Sequence, residues 1–468
     1  MFRVRFSSSN LLFAASLPLL CVGMISGLSN TSQAKGKQVG PNQEQVIALG
    51  KELFFDTELS NPEGMSCATC HTPGAGSEYP ISNTNEYVGP VPGAVSGRFG
   101  NRRPPTVAYA AFLPQGAPTF VEAAHAYVGG LFWDGRAPNL TDQAMGPLVN
   151  PNEMNNLVNN QPSEAMVVSK VQNGRFGPFF QAVYGSGVWT QSTDAVYRLI
   201  AQTIAAYEAS PEVSPFSSKY DAYLAGKAKL SAAELDGLRL FTGSWSGRPG
   251  GAAYPTNARC VTCHTIPSAP GSGTDLFTSS VFVNLGVPRN LANPYYEMTN
   301  AAANPAGYNP LGGAFVDYGL GDFLYPQLGK PSGDLGENDP LAIDGTFKAP
   351  TLRNVDNRPY AGFVKDYEHN GVFKSLEQVV HFYNTRNLTT VQGEIIDFTK
   401  NNPYAGLKGK PLWPQPEYMS AKTIVNPKGG FNSSSGLVGN LGLSVAQELD
   451  LVAFLKTLTD GYFAPGTE

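Results

Sequence analysis

Apolar residues recur at helical spacing in four places, and the four pair off along the chain. Between Gln43 and Phe55, the positions Val46, Ile47, Leu49 and Leu53 mark one face of a helix. Between Ser231 and Phe241 a second helix opens on the capping box Ser231-x-x-Glu234. Both end in the same Gly-x-x-Leu-Phe pattern, at Gly50/Leu53/Phe54 and at Gly237/Leu240/Phe241. Further on, Asp194 to Glu208 and Ser444 to Leu458 read as closing helices, the latter opened by another capping box, Ser444-x-x-Gln447. Periodicity breaks between residues 210 and 225, at Pro211, Pro215 and the polar pair Ser217-Ser218. The pattern predicts a mainly α protein of two tandem units, residues 35–215 and 216–468, joined and filled out by long irregular loops. Ahead of them, Arg3 and Arg5, a mostly apolar run from Leu11 to Leu28 and the small residues of Ser32-Gln33-Ala34 have the layout of a secretory signal over residues 1–34, cleaved near Ala34. Ser16, Pro18, Gly23, Ser26 and Gly27 interrupt that run, and no second apolar stretch of spanning length follows, so no stable membrane anchor is expected. The expected location is the periplasm.

Composition changes this picture in two respects. The balance of 32 basic against 37 acidic residues, with no run of Lys or Arg, gives no footprint for nucleic acid. The 51 Gly and 37 Pro are scattered without period, which suits loops wrapped around something buried. Cys21 would leave with the signal, so four cysteines remain: Cys67, Cys70, Cys260 and Cys263. In an oxidising compartment two disulfides would be the plain reading. Each pair, however, is followed at once by a histidine, giving Cys67-Ala-Thr-Cys70-His71 and Cys260-Val-Thr-Cys263-His264. Two thiols at that spacing reach the two vinyl groups on one porphyrin edge, and the next imidazole swings under the iron. Zinc would want four ligands at each site, and a thioredoxin-like pair would want a strand-helix-strand setting that the pattern lacks. Two covalently bound haem c groups follow, one in each of two tandem cytochrome c-like domains.

With these motifs in hand, the chain resembles the bacterial dihaem cytochrome c peroxidases and their MauG relatives from Leu49 to about Leu458. The resemblance is carried by Leu49-Gly-Lys-Glu-Leu-Phe-Phe-Asp-Thr-Glu-Leu-Ser60, Phe132-Trp-Asp-Gly-Arg136, Gly146-Pro147 with Asn152-Glu153-Met154, Phe347-Lys-Ala-Pro-Thr-Leu-Arg-Asn354 and Leu451-Val-Ala-Phe-Leu-Lys456. It implies that hydrogen peroxide is reduced at the first haem, bound by His71, with Glu153 as general acid-base and Gln143 and Pro147 lining the same distal pocket. It implies that Trp133 lies between the haems and passes oxidising equivalents to the second, bound by His264. Taken alone, Glu153 reads as a solvated loop residue and Trp133 as core packing. Arg136 either neutralises a haem propionate or pairs with Asp134.

Two departures from the family pattern carry information. No histidine lies between Thr72 and Asn101, where activatable peroxidases keep a distal ligand; Tyr87 is among the residues near that place, and His125 is the nearest alternative. The first haem is therefore expected to be open. At the second haem, the residue fourteen beyond His369, in His369-Asn370-Gly371, is Tyr383 instead of methionine, and Met298 and Met419 stand elsewhere. Tyrosine is the MauG-like ligand and would lower the potential of that iron; His381 is the rival ligand, and the apolar face of the helix would also account for Tyr383 as core. The resemblance further implies a calcium ion between the haems, held by the carbonyls of Asn357 and Pro359. At the place of its asparagine ligand stands Arg103, which has no acceptor, with Asn101 nearby. The stretch Thr256-Asn-Ala-Arg259 lacks the tryptophan through which MauG draws on its protein substrate, and residues 265–343 carry no legible motif. Three readings follow: a peroxidase fed by a small cytochrome c or cupredoxin, a MauG-like enzyme that oxidises Trp or Tyr of a partner protein, and a non-enzymatic electron carrier.

Overall fold

The computed structural model describes residues 41–76, 78–124, 126–247, 251–256, 258–266, 275–302, 304–329, 343–386, 413–414, 416–418, 438–439 and 441–463. The signal segment 1–34, Cys21, His125, Asn257 and Met419 lie outside them. Residues 41–468 make one compact unit. It is mainly α, with helices α1 (Gln43–Phe54), α2 (Cys67–Cys70), α3 (Ser82–Tyr87), α4 (Leu140–Val149), α5 (Glu164–Asn173), α6 (Gly177–Tyr184), α7 (Thr193–Glu208), α8 (Lys219–Leu224), α9 (Ala232–Thr242), α10 (Leu320–Gln327), α11 (Leu376–Thr385) and α12 (Val445–Lys456). Among the described residues the strands are short and form three antiparallel pairs: β1 (Thr119–Val121) with β2 (Ala126–Val128), β3 (Leu157–Val158) with β4 (Gln161–Pro162), and β5 (Phe282–Val283) with β6 (Phe347–Lys348). Among the described residues no helix is long and apolar enough to cross a membrane.

The four helices read from the apolar pattern are α1, α7, α9 and α12, and cap chemistry sets their starts. Asn42 Oδ1 accepts the Glu44 N–H at 2.9 Å. Ser231 and Glu234 exchange reciprocal bonds of 2.6 and 3.3 Å, as do Ser444 and Gln447 at 2.9 and 3.4 Å. Each pair of helices crosses at its glycine. A Cβ on Gly50 would stand 2.1 Å from the Thr203 carbonyl oxygen of α7, and one on Gly237 would stand 2.0 Å from that of Asp450 on α12. Neither crossing tolerates a side chain. The Leu-Phe that follows each glycine is buried, with Phe54 and Phe241 both at 1% exposure; a ring so placed contributes about 1.5–3 kcal/mol.

Apolar side chains gather in two main clusters. One joins Leu49, Leu53, Val167, Phe180 and Ile200 of α1, α5, α6 and α7; the other joins Tyr220, Leu238, Phe382, Leu451 and Phe454 of α8, α9, α11 and α12. The segment without a legible motif turns out to be bonded to the first half of the chain. Phe99 donates its N–H to the Met298 sulfur (3.2 Å), Asn293 Nδ2 donates to Asn101 O (2.9 Å), Asn290 Nδ2 to Val88 O (2.8 Å), and Arg102 pairs with Asp317 (2.6 Å). Met298 is thereby occupied away from either Cys-x-x-Cys-His motif.

Candidate haem-binding active site

The first motif forms the single turn α2, held at its start by the Ser66 N–H donating to Thr69 Oγ1 (2.9 Å) and at its end by the His71 N–H donating to Cys67 O (2.9 Å). Around it opens a cavity with about 1020 Å³ of space, lined by Cys67, Cys70, His71, Trp133, Gln143, Pro147, Glu153 and Glu208. Gln143 and Pro147 come from α4, which runs straight into the turn that carries Glu153: Glu153 N–H donates to Asn150 O (3.1 Å) and Met154 N–H to Pro147 O (3.2 Å). From outside, loop 91–100 clasps this turn. Ala94 N–H donates to Glu153 O (2.8 Å), and the Arg98 guanidinium reaches Asn155 Oδ1 (2.8 Å) and Pro151 O (3.3 Å). Burial raises the Glu153 carboxyl above its ordinary range, against the pull of Arg136. Tyr87, by contrast, is 66% exposed on α3 and lies outside the cavity lining.

The second motif is a 3-10 turn, Cys260–Thr262. Its cavity, with about 1760 Å³ of space, is lined by Cys260, Cys263, His264, His369, Tyr383 and Lys348 among mostly apolar residues such as Leu285, Val287 and Leu376. His264 is buried, and its Nδ1 lies 2.9 Å from the Phe277 carbonyl. A carbonyl only accepts, so Nδ1 carries the hydrogen and Nε2 keeps its lone pair for a metal. Burial also pushes His264 down, favouring the neutral ring. Tyr383 donates its hydroxyl to the Glu368 carboxylate at 3.1 Å, and burial raises the phenol well above its ordinary value. His381, two residues earlier on α11, is turned to the Glu448 carboxylate of α12 at 3.0 Å and is not among the cavity lining. His369 stacks on Phe347 (3.5 Å between ring centres), its Nε2 has no hydrogen-bond partner, and burial pulls it down to about 3.

Trp133 lines both cavities. It is 5% exposed, and its indole N–H donates to Arg103 O at 3.0 Å. The turn that presents it requires Gly135, which has φ +76° and a Cβ position 2.4 Å from Pro118 Cγ. Arg136 bonds Asp134 at 2.8–3.0 Å and lies 3.6 Å over the Phe132 ring. Of the calcium candidates, Asn101 Nδ2 faces Asp317 (3.5 Å), the Asn357 carbonyl accepts from the Lys365 ammonium (3.4 Å), and Pro359 is exposed.

These surroundings fit covalent haem. All four thiols are unbridged and line the two cavities, and burial pushes each of them up. Gln143 Oε1 and Glu208 Oε2 are buried against the first cavity without a protein partner, as is His369 Nε2 against the second. Polar groups left so need a ligand or water. Spacing in the sequence had marked Gln143 and Glu153 only through resemblance, and gave no signal for Glu208, Glu368 or Arg98.

Two Cys-x-x-Cys-His sites, each opening on its own cavity with one tryptophan shared between them, define a dihaem c-type protein. Residues 44–229 match the family of dihaem cytochrome c peroxidases. The chain is 31% identical to the methylamine utilization protein MauG of Paracoccus denitrificans over 92% of both chains, and 28% identical to the cytochrome c551 peroxidase of Nitrosomonas europaea over 74% of both. Its structure superposes on the diheme peroxidase BthA of Burkholderia thailandensis with a TM-score of 0.61 and 30% identity, covering 90% of this chain and 87% of that one. The chain belongs to the dihaem cytochrome c peroxidase and MauG family. It is a haem peroxidase, an oxidoreductase acting on hydrogen peroxide, and membership carries two covalent haem c groups with it.

Proposed function

We propose that peroxide is reduced in the first cavity and that its oxidising equivalents are shared, through Trp133, with a second site closed by Tyr383. The observation that carries this reading is that Trp133 lines two chemically different cavities. Cys67, Cys70 and His71 would hold one haem and Cys260, Cys263, His264 and Tyr383 the other, the two forming a pair of cytochrome c-like domains over 35–215 and 216–468. When bound, each haem supplies an iron able to accept and give up oxidising equivalents. The buried Glu153 carboxylate would take the proton from one peroxide oxygen and return it to the other as the O–O bond breaks, which such groups accelerate by about 10²–10⁴. Gln143, whose Oε1 is unpartnered, orients peroxide, and Pro147 shapes the cavity around it. Two electrons and two protons per peroxide then yield two waters. The proton shuttle favours an enzyme over an electron carrier, because a carrier has no use for a buried acid-base group at a site with room for a small substrate.

At the second site, Glu368 accepts the hydrogen bond of the Tyr383 hydroxyl beside the cavity and would take its proton were the phenol to hold the haem iron, while the His381 imidazole is engaged by Glu448. Electrons come from a small redox protein, a cytochrome c or a cupredoxin, in the periplasm, to which residues 1–34 deliver the chain. The MauG-like alternative, oxidation of Trp or Tyr in a partner protein, shares every step but the last. Mixing the fully oxidised protein with peroxide tests the reading: both haem spectra should change without prior reduction, and Tyr383→Phe should alter the resting spectrum of the second haem alone. A resting protein that ignores peroxide until it is reduced would sink the open first site. Steady turnover with a reduced small cytochrome selects the donor-fed peroxidase over the alternative.

A further inference from the structure

We propose that the ammonium of Lys365, and not a metal ion, is the cation that binds the segment behind the first Cys-x-x-Cys-His motif to the second half of the chain, and that it thereby positions Arg103 and Trp133 between the two sites. Its Nζ donates to the carbonyl oxygens of Asn354 (2.9 Å), Ala75 (3.4 Å) and Asn357 (3.4 Å) and lies 3.4 Å from the Glu78 carboxylate. The side chain is 2% exposed. Two of these oxygens come from the segment after His71 and two from the segment after Phe347, so a single charge crosses the seam. Backbone carbonyls and one carboxylate are what a hard divalent cation would also choose, but calcium needs its oxygens at about 2.3–2.6 Å, and here a nitrogen holds the centre at hydrogen-bond distances. Gly76 lets the strands close on it: with φ +72°, a Cβ there would stand 2.9 Å from both Lys365 Nζ and the Asn354 oxygen.

The side chain at the asparagine position does not fit calcium either. Arg103 stands where the calcium reading wants an oxygen donor, and a guanidinium has none. It shares Glu78 with Lys365, at 3.0 Å, so two fixed positive charges already meet one carboxylate. A divalent ion added beside them would be repelled by both. What the arrangement secures is the bridge. Arg103 Nε donates to Glu368 O (2.6 Å), its N–H donates to His369 O (2.9 Å), its carbonyl accepts the Trp133 indole N–H (3.0 Å), and its guanidinium lies 5.3 Å over the Trp133 ring. Lys365, Glu78, Arg103 and Trp133 are thus one connected chain. Without the ammonium, Glu78 would face Arg103 alone, the Ala75 and Asn357 carbonyls would lose the bond that Lys365 gives them, and the Asn354 carbonyl would keep only the Asn357 N–H (2.9 Å).

The metal side of this proposal stands apart from the peroxidase reading, and only its rate side rests on it. Elemental analysis of the desalted dihaem protein should find calcium well below one per chain. Chelation with EGTA, or added calcium chloride, should leave both the thermal midpoint and the rate of peroxide consumption unchanged. One tightly held calcium per chain, or a fall in either quantity on chelation, would overturn it. In Lys365→Met, the first haem should meet peroxide at the wild-type rate, while the response of the second haem slows by about tenfold to a hundredfold, since misplacement on the order of 1 Å suffices for that. Lys365→Arg, which keeps the charge, should lie nearer the wild type. A second-haem response in Lys365→Met equal to that of the wild type rejects the positioning role. Should Lys365→Met not fold, the metal analysis of the native protein and the Lys365→Arg rates still decide.

Discussion

In the first half of the chain, α1 crosses α7 so closely that a Cβ on Gly50 would lie 2.1 Å from a carbonyl oxygen, and in the second half α9 crosses α12 as closely, at 2.0 Å from a Cβ on Gly237. Each crossing is followed by a buried Leu-Phe and then by Cys-x-x-Cys-His. The frames match, yet the cavities they support do not. The first receives Glu153 and Gln143 from α4 and its following turn; the second receives Tyr383 from α11, with Glu368 behind it. A repeated helical frame therefore sets each Cys-x-x-Cys-His motif beside its cavity, and the inserted elements decide which side chains line the rest. A buried carboxyl and amide line one side and a buried phenol the other, with Trp133 between.

The sharpest way to break this comparison is Glu153→Gln, which keeps shape and removes the base. Peroxide consumption should fall by about 10²–10⁴ while the resting spectra of both haems stay as they were. Because burial raises the carboxyl, and the deprotonated form is the one that accepts the proton, wild-type activity should climb with pH through that raised value. In Glu153→Gln this acid limb should vanish. Stopped-flow rates across the pH range measure both, and an unchanged limb would place the titrating group elsewhere.

The shared frame is tested next by Gly50→Ala and Gly237→Ala. Each methyl would press on a backbone carbonyl that cannot yield, so each should cost about 3 kcal/mol or more in denaturant unfolding. Tolerance at one crossing and not the other would show that the halves are less alike than their glycines suggest.

The smallest effect belongs to Glu208→Gln. Burial without a partner carries this carboxyl up to about 8 from an ordinary 4.5, so between those values the folded chain keeps a proton that the unfolded chain releases. Its contribution to stability is present below 4.5 and is lost as pH rises toward 8. The glutamine variant should flatten that slope, seen as a gain in thermal midpoint at alkaline pH and none at acid pH. A parallel shift at every pH would mean the charge is not the cause.

Much of this was legible before any coordinates. The four helices could be read because periodicity and capping boxes are local, and they start within a residue of where the pattern places them. Tyr383 against His381 could not be settled that way. Two positions apart on one helix point roughly 200° apart, so one must face inward, but spacing does not say which way α11 is turned. Its packing on α12, with His381 on Glu448, decides that Tyr383 lines the cavity.

By itself the sequence determined the two Cys-x-x-Cys-His motifs, the helical frame and its internal repeat, since each depends on residues a few positions apart. Tertiary structure decided that Trp133 borders both cavities, which the sequence had implied only by resemblance, that Asn290, Asn293, Met298 and Asp317 bond to the first half, and that Lys365 sits in a cradle of oxygens. The physical reason is the same for all three. Their partners lie far apart in the chain, and in the last case most of them are backbone carbonyls, which every residue carries and no side chain announces.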